Sequence, residues 1–226
     1  MGDRGDFLLD FFIFDELPST QDYALTLLKN SKMPKLPFCV IANRQTQGRG
    51  SRGNVWESEE RALLFSFVVD LKKLPRDLPL QSLSLYVGVI LQEFLHTQGA
   101  EELWIKWPND LYIQDKKIGG ILTQCVGNIC VCGIGINLKS KKYGSLTLEV
   151  LDERKEEFIH DFLLFFFKFP TWQVIFDKYK LEFHKNFSYH FHHQNQSFSF
   201  KDAVLCEDGA IMIDDEKIYS LRSSYV

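Results

Sequence analysis

Short apolar runs separated by turn residues make up much of the chain before residue 140. The runs at 11–14, 38–42 and 62–69 have the length and composition of buried strands. From 103 to 138 further extended runs follow one another, with Gly127-Asn128 in the position of a two-residue hairpin turn. Consecutive strands joined by short turns predict a largely antiparallel sheet.

Helical spacing of apolar positions interrupts these runs and dominates the region after them. A short apolar stripe begins after Ser19-Thr20, whose hydroxyls suit the start of a helix. Apolar residues between 81 and 99 recur at helical spacing and end at a glycine. The stretch 152–169 is rich in phenylalanine, and a further helix is predicted from Thr171. We interpret these apolar faces as packing surfaces.

A polar stretch at 194–199 separates the helical region from a short β-rich tail. In the tail, two alternating apolar runs flank Asp208-Gly209, which is a turn signal. The pattern predicts a larger domain at 1–187 and a small β domain at 195–226.

The composition narrows the class of protein without indicating a function. Of 226 residues, 45% are hydrophobic and 25% are charged, as in an ordinary globular protein. The net charge of -4 gives no electrostatic reason to expect nucleic-acid binding. The longest apolar run, Phe162 to Phe167, is far too short to span a membrane, and the acidic start at 1–6 is unlike a signal peptide. We therefore expect a cytoplasmic protein that binds neither nucleic acid nor membrane.

Cysteines and histidines are the residues that raise the question of disulfides or metals. The five cysteines have no Cys-x-x-Cys pair and lie in apolar runs, at 39, 125, 130, 132 and 206. This pattern predicts buried free thiols in a reducing compartment. Histidines stand at 184, 190, 192 and 193, but their spacing fits no common metal site, so we assign them no metal.

Three charged loops stand out against this background, at 48–53, 106–110 and 117–120. Each places cationic or short polar side chains beside glycine or at a strand end, where backbone N–H groups are free. Their cations are Arg49, Arg52, Lys106 and Lys117. Because lysine and arginine are seldom buried unpaired, their convergence predicts an anionic ligand with several phosphates. The P-loop and the Gly-x-Gly-x-x-Gly helix start, the commonest nucleotide motifs, are both missing.

The same loops carry a resemblance to a known family. In order stand Ser19-Thr20, Gln45 to Trp56, Lys106-Trp107-Pro108-Asn109-Asp110, Lys117-Ile118-Gly119-Gly120-Ile121-Leu122 and Gly133-Ile134-Gly135-Ile136-Asn137-Leu138. Their order and spacing, from about residue 12 to 138, closely resemble the biotin protein ligases. A single Gly-Arg-Gly is a weak signal, whereas this combination is highly specific.

The resemblance implies an α+β fold of the class II aminoacyl-tRNA synthetase/biotin ligase type. Such a fold has a mixed sheet with helices on one side, plus a small C-terminal SH3-like β-module. The implied reaction has two steps: biotin and ATP form biotinyl-5′-AMP, and a lysine of a biotin carboxyl carrier protein then displaces AMP. Mg²⁺ would bind mainly through the ATP phosphates. The short segment before Ser19 leaves no room for the DNA-binding domain of ligases that are also repressors, and both monomer and homodimer stay open.

The resemblance also implies roles for individual residues. Lys117 corresponds to the catalytic lysine and Arg49 to the arginine that holds the acyl-phosphate oxygens. Arg52 and Asp110 are further catalytic candidates, the latter as an aid to Mg²⁺ or to the attacking lysine. The expected biotin contacts are Ser19, Thr20, Gln21, Gln45, Gly48, Arg49, Gly50, Ser51, Lys117, Gly119, Gly120, Gly133 and Gly135. The expected ATP contacts are Arg49, Arg52, Trp56, Lys106, Asn109 and Asn137.

Three positions depart from the family pattern. Ser51 and Asn54 stand where the loop usually has arginines, and Gln21 replaces the asparagine usual after Ser-Thr. The loop changes predict looser retention of the adenylate. Two other functions stay open. One is a lipoate or octanoate ligase of the same fold, although its arginine-rich, triple-glycine motif is not found. The other is a non-catalytic binder of biotin or nucleotide.

Overall fold

A seven-stranded mixed sheet forms the centre of the fold, in a computed structural model that describes residues 9–29, 33–57, 61–148, 154–194 and 196–219. The strands of this region are β1 (Asp10–Leu17), β2 (Phe38–Gln45), β3 (Gly48–Arg49), β4 (Val55–Trp56), β5 (Arg61–Asp70), β6 (Leu103–Lys106), β7 (Asp110–Ile113), β8 (Lys116–Val126) and β9 (Ile129–Lys139). The order across the sheet is β1-β2-β5-β9-β8-β7-β6, and β3 and β4 pair with each other. β1 and β2 are parallel and the other neighbours antiparallel, so the sheet is largely antiparallel as predicted.

The helices lie where the apolar periodicity predicts them. They are α1 (Thr20–Lys29), α2 (Leu83–Thr97), α3 (Lys155–Phe166) and α4 (Trp172–Glu182). Gly99 follows α2 with φ +96°, a left-handed conformation that glycine adopts readily at a helix end. Within the described ranges, no helix is both long enough and apolar enough to cross a membrane.

One face of the sheet packs against the three larger helices. Alternate strand residues point to opposite faces, and Cys39, Ile41 and Phe67 all belong to the larger core on this side. Phe67 meets Phe162 and Phe166 of α3 edge-on, with ring centroids 6.2 and 4.9 Å apart. The larger core therefore combines strand residues, aliphatic residues of α2 and helical phenylalanines, which confirms the packing interpretation of that pattern.

The smaller helix α1 lies on the opposite face of the sheet. The side chains of Phe38, Val40 and Val68 point to this opposite face, where they pack with Ala24 and Leu25 of α1 in a separate core. The expectation of helices on one side of the sheet therefore agrees with the positions of α2, α3 and α4. The helix α1 is an additional element on the second face. This second face also carries the polar residues described below.

Two cysteines predicted as free thiols are paired. The register of β8 and β9 places Cys125 opposite Cys130, with Cα atoms 4.1 Å apart, and the two sulfurs form a disulfide. The prediction was wrong for this pair because it rested on composition, whereas a two-residue turn makes these positions cross-strand neighbours. Cys39, Cys132 and Cys206 are free. Burial raises the pKa of the Cys39 and Cys132 thiols.

Two small sheets form the C-terminal part. They consist of a hairpin of β10 (His190–His193) and β11 (Gln196–Ser199), and a three-stranded sheet of β12 (Val204–Leu205), β13 (Ile211–Ile213) and β14 (Glu216–Ile218). The polar stretch at 194–199, expected as a boundary, largely forms the second strand of the hairpin. The division into domains at 1–187 and 195–226 stays a prediction.

The C-terminal part packs onto the larger sheet around Trp107, which is only 2% exposed. The indole Nε1 of Trp107 donates to the Gly209 carbonyl at 2.9 Å, and its backbone N donates to Asn186 Oδ1 at 2.9 Å. The ring also meets Phe200 edge-on. Residues late in the chain thus hold the 106–110 loop, and the β10–β11 hairpin lies beside it.

Candidate functional site

A buried network of polar side chains lies where α1 begins, on the second face of the sheet. Thr20 Oγ1 lies 2.9 Å from Ser66 Oγ and donates to Gln45 Oε1 at 3.0 Å. Ser66 Oγ in turn donates to Gln21 Oε1 at 3.3 Å, and Ser66 is completely buried. Buried polar groups need such partners, and the bonds hold these side chains in defined positions. The network can therefore present fixed donors and acceptors to a small polar ligand.

Two residues at the edge of the network have simpler roles. Ser19 Oγ accepts a hydrogen bond from the backbone N of Asp22 at 3.2 Å, so it caps α1. A Cβ atom at Gly133 would lie 2.6 Å from Gln21 Oε1, so a side chain at this position would displace the amide. Glycine at 133 is thus required by the network itself.

The loop between β2 and β5 folds back on itself through β3 and β4. A single 3-10 turn at Ser51–Gly53 joins these two strands, and the backbone N of Gly50 donates to the Asn54 carbonyl at 2.8 Å. Gly48 is buried, and a Cβ atom there would lie 2.6 Å from the Trp56 carbonyl oxygen. The glycines therefore allow a tight fold of the loop.

The structure describes the side chain of one of the two arginines in this loop, Arg49. Arg49 points toward α1, where its Nη1 lies 2.5 Å from Asp22 Oδ1. It is absent from the lining of both cavities described below, and its expected place beside Lys117 at the ligand stays a prediction. The side chain of Arg52 lies outside the described part of the chain.

Lys117 is positioned by an irregularity in the sheet. The pairing of β7 with β8 shifts after Leu111, so that Tyr112 pairs with Lys117 while Leu111 pairs with Gly119. Such a bulge changes the direction of a side chain relative to the regular ladder. Lys117 Nζ donates to Asp110 Oδ1 at 2.7 Å, and both side chains are partly exposed. The lysine and the carboxylate are thus paired and within reach of a ligand.

Glycines of β8 and β9 lie beside this pair. Gly120 pairs with Gly135 across the two strands, and Gly119 pairs with Ile136. A Cβ atom at Gly135 would lie 2.8 Å from the Trp56 ring. The absence of a side chain at 135 therefore allows the indole to lie directly on the strand.

Lys106 is enclosed by aromatic rings. Its Nζ lies 4.4 Å from the Tyr189 ring centroid and 5.3 Å from that of Tyr112. Burial raises the pKa of both phenols, so the rings are neutral at physiological pH. The ring faces hold the ammonium group in place through cation–π contacts.

Two adjoining cavities meet at Lys117. The first, which we call the polar cavity, has a volume of about 190 Å³. Its polar lining includes Ser51, Lys106, Asp110, Lys117, His190 and His192. The second, which we call the tryptophan cavity, has a volume of about 410 Å³. It is lined by Asn54, Val55, Trp56, Glu57, Lys117, Asn137 and Tyr143.

Two residues that line the tryptophan cavity carry an unused donor and an unused acceptor. Trp56 Nε1 and Asn137 Oδ1 are buried, and neither has a hydrogen-bond partner among the described residues. Across the mouth, Lys142 Nζ bonds to Glu57 Oε2 at 2.7 Å, and this bond lowers the pKa of the Glu57 carboxyl. The Tyr143 hydroxyl also lies 3.4 Å from Glu57 Oε2. A planar ligand with both hydrogen-bond functions would satisfy the two orphaned groups.

Asn109, which is expected to contact the nucleotide, also has a structural role. Although it lines the polar cavity, its Nδ2 donates to the Ile121 carbonyl at 2.7 Å. The Asn109 carbonyl also accepts from the backbone N of Ile121 at 2.8 Å. Asn109 therefore braces β8 from the 106–110 loop.

Several residues of the site were not identified from the sequence, among them Ser66, Tyr143, His190 and His192. Ser66 is the only hydroxyl in an apolar run of eight residues at 62–69, which was a usable signal. Tyr143, His190 and His192 offered no comparable local signal, because their contribution depends on how distant segments pack. Among the described residues, no group of three or more His, Cys, Asp or Glu side chains could hold a metal ion.

Comparisons with known proteins place this geometry in a family. A sequence profile described as the Biotin/lipoate A/B protein ligase family matches residues 13–139. The crystal structure of biotin acetyl coenzyme A carboxylase synthetase from Helicobacter pylori, with bound biotinylated ATP, is 41% identical with a TM-score of 0.86. That similarity covers 93% of this chain and 99% of the other.

Two further relatives agree with the match. The bifunctional ligase/repressor BirA of Escherichia coli is 36% identical over 132 residues, which is 56% of this chain and 40% of that protein. The chain thus matches less than half the length of this relative. The biotin protein ligase of Aquifex aeolicus, solved with biotin and ATP, has a TM-score of 0.71 at 24% identity, over 93% of this chain and 96% of the other. At that identity the similarity supports the fold alone.

These comparisons confirm the α+β fold and the resemblance inferred from the motifs. The family profile covers more than half of the chain, and the fold recurs at 41% identity over almost the whole length of a solved relative. The chain therefore belongs to the biotin/lipoate A/B protein ligase family.

Proposed function

We propose that this protein joins biotin to ATP as biotinyl-5′-AMP and transfers the biotinyl group to a lysine of a biotin carboxyl carrier protein. The observation that carries the proposal is the position of Lys117, which lines both cavities and is paired with Asp110. The similar Helicobacter pylori protein is named a biotin acetyl coenzyme A carboxylase synthetase and was solved with biotinylated ATP. That name supports the substrates and the class of acceptor.

The first step has to bring two anions together. A biotin carboxylate oxygen bonds to the α-phosphorus of ATP, and the bond from that phosphorus to the pyrophosphate oxygen breaks. The Lys117 ammonium reduces the repulsion between carboxylate and triphosphate, and it stabilises the charge that develops on the α-phosphate. In the second step the amine of the carrier lysine attacks the acyl carbon, and AMP leaves.

The two ends of the intermediate match two sets of polar groups in the protein, the tryptophan cavity beside Lys117 and the buried network at the start of α1. The tryptophan cavity is suited to adenine, whose ring nitrogens accept and whose amino group donates hydrogen bonds. Trp56 Nε1 and Asn137 Oδ1 supply the complementary donor and acceptor. The network of Thr20, Gln21 and Ser66 is suited to the ureido ring of biotin, which has two donors and one acceptor.

Mg²⁺ has a limited place in this proposal. With no three-residue cluster of metal-binding side chains in the described ranges, the ion would arrive with the ATP phosphates. Asp110 is the carboxylate of the polar cavity that could contact it. When bound, the ion would supply positive charge to the phosphates. Lys117 and Lys106 hold the anionic substrates in position.

Biotin-dependent exchange of labelled pyrophosphate into ATP tests the first step directly. The purified chain is expected to catalyse exchange with biotin and not with lipoate. Lys117→Ala should reduce the rate by more than about tenfold, roughly 1.4 kcal/mol of barrier, because the ammonium stabilises the reacting phosphate. The control is Lys116→Ala, which removes an exposed lysine from the adjacent position.

The other outcomes of this assay have definite meanings. Exchange that depends on lipoate would assign the chain to the lipoate branch of the family. A complete lack of exchange, with biotin still bound in a calorimetric titration, would indicate a non-catalytic binder. Exchange by Lys117→Ala within about tenfold of the parent would remove Lys117 from its assigned role.

A further inference from the structure

The C-terminal hairpin contributes two histidines to the polar cavity. Along β10, Phe191 is 2% exposed and packs on Phe198 and Phe200, whereas its neighbours His190 and His192 are exposed. Both histidines line the cavity together with Lys106 and Lys117. Their positions are set by the packing of the hairpin beside the 106–110 loop.

The groups facing this cavity favour an anion. The ammonium of Lys106 lies over two neutral phenol rings, and the ammonium of Lys117 is paired with Asp110. Among the described residues of the lining, Asp110 is the one carboxylate, and it already bonds to Lys117. The imidazoles add N–H donors.

The connection to the tryptophan cavity indicates which anion fits. Lys117 and Asn54 line both cavities, so a ligand in one can extend into the other past the lysine. If a nucleoside occupies the tryptophan cavity with its α-phosphate at Lys117, the remaining phosphates enter the polar cavity. That arrangement rests on the proposed function.

We propose that His190 and His192 bind the β- and γ-phosphates of ATP and the pyrophosphate that they become. The hairpin thereby supplies donors to the leaving group in a cavity that the neutral Ser51 of the loop also lines. When the bond to the α-phosphorus breaks, its electron pair stays on the bridging oxygen of pyrophosphate, and the imidazole donors stabilise that charge. These residues therefore contact ATP and its product but not biotin.

The test compares the double variant His190→Gln/His192→Gln with the parent chain. Steady-state exchange should show a KM for ATP raised about tenfold and a KM for biotin within about twofold, because charge-assisted hydrogen bonds to phosphate are lost. Calorimetric titration with inorganic pyrophosphate should show a similar loss of affinity. His184→Gln is the matched control, since His184 is exposed on the preceding turn and does not line the cavity.

A rescue experiment distinguishes loss of the phosphate contacts from a general disturbance of the hairpin. Ser51 lines the same cavity, so Ser51→Arg in the double variant should restore much of the affinity for ATP and pyrophosphate. If the double variant does not fold, as judged by its circular dichroism and melting curve, the single variants His190→Gln and His192→Gln carry the same test.

The results distinguish this proposal from the proposed function. Biotin-dependent exchange with an unchanged ATP KM in the folded variants would overturn the role of the histidines and leave the ligase function intact. Pyrophosphate binding that depends on the histidines, in a chain that shows no exchange, would support the anion site while refuting the ligase. A change confined to binding of added zinc would also overturn the proposal.

Discussion

Ser66 illustrates how much a single residue contributes on the second face of the sheet. Its hydroxyl lies within an otherwise apolar strand, completely buried, and bonds to Thr20 and Gln21. A hydroxyl in that position is costly unless it is paired, so its partners and its position depend on each other.

Replacing Ser66 should affect both stability and biotin binding. We expect Ser66→Ala to lower the free energy of unfolding by about 1–2 kcal/mol, because Thr20 and Gln21 lose a buried partner. Biotin affinity, measured by calorimetry, should fall at the same time, since both side chains lose their fixed positions. Ser197→Ala, at an exposed strand position, should change neither quantity. An unchanged biotin affinity would separate the network from the ligand site.

Asp22 competes with any ligand for Arg49. The two side chains are about half exposed, and such pairs contribute only about 0–1 kcal/mol. The resemblance implies that Arg49 holds the acyl-phosphate oxygens. In that case Asp22→Asn should lower the KM for ATP by up to about fivefold, because Arg49 no longer has to break an ion pair before it contacts the ligand. Steady-state exchange measures this, with Glu16→Gln, which loosens the exposed pair to Arg44, as the control. A raised KM would contradict the competition.

At the scale of elements, the phenylalanines of α3 pack against both the sheet and α2. Phe162 is completely buried and meets Phe65, Phe67 and Phe94 with ring centroids 5.9, 6.2 and 5.7 Å apart. These contacts join α3 to β5 and α2, so the helix periodicity seen in the sequence corresponds to a real packing surface.

Removing one of these rings should destabilise the whole protein. We expect Phe162→Ala to lower the free energy of unfolding by about 3–5 kcal/mol, because it removes buried apolar surface and leaves a cavity. Urea denaturation measures the change. Leu164→Ala, on the same helix at a position that is 41% exposed, should stay within about 0.5 kcal/mol of the parent. Equal effects of the two substitutions would contradict the assignment of faces.

The bulge between β7 and β8 shows what an element contributes to chemistry. The apolar run from Ile118 onward predicts a strand, and the glycines after Lys117 indicate close approach of a ligand. Whether Lys117 points into a cavity depends on the shift in register opposite Leu111. A one-residue change of register reverses the side-chain direction, so sequence alone leaves this open.

At the scale of the whole molecule, the end of the chain completes the site. Asn186 is completely buried, accepts from the Trp107 backbone N and donates to the Phe183 carbonyl at 3.0 Å. These bonds connect the 106–110 loop to the segment that leads into the β10–β11 hairpin. The polar cavity therefore depends on contacts between parts of the chain that are distant in sequence.

Removal of the Asn186 hydrogen bonds should lower both the stability of the protein and its affinity for ATP. We expect Asn186→Ala to lower the free energy of unfolding by about 2 kcal/mol, because the Trp107 N–H is left buried without its acceptor. The KM for ATP should rise while that for biotin stays unchanged, since none of the described hydrogen bonds of Asn186 reaches the buried network near Thr20. Lys185→Ala, at the exposed neighbouring position, is the control for both measurements.

The amino-acid sequence by itself determined the elements, the largely antiparallel sheet and the charged loops that carry the family motifs. It could do so because hydrophobic period, turn residues and motif order are local properties, encoded within a few residues of each position. The family assignment followed from the order of those motifs.

Only the tertiary structure decided which of these residues meet. It paired Arg49 with Asp22, placed α1 on the second face, joined Cys125 to Cys130, and brought His190 and His192 to the cavity of Lys117. Each of these outcomes depends on strand register or on the packing of segments far apart in the chain, and no local pattern specifies either.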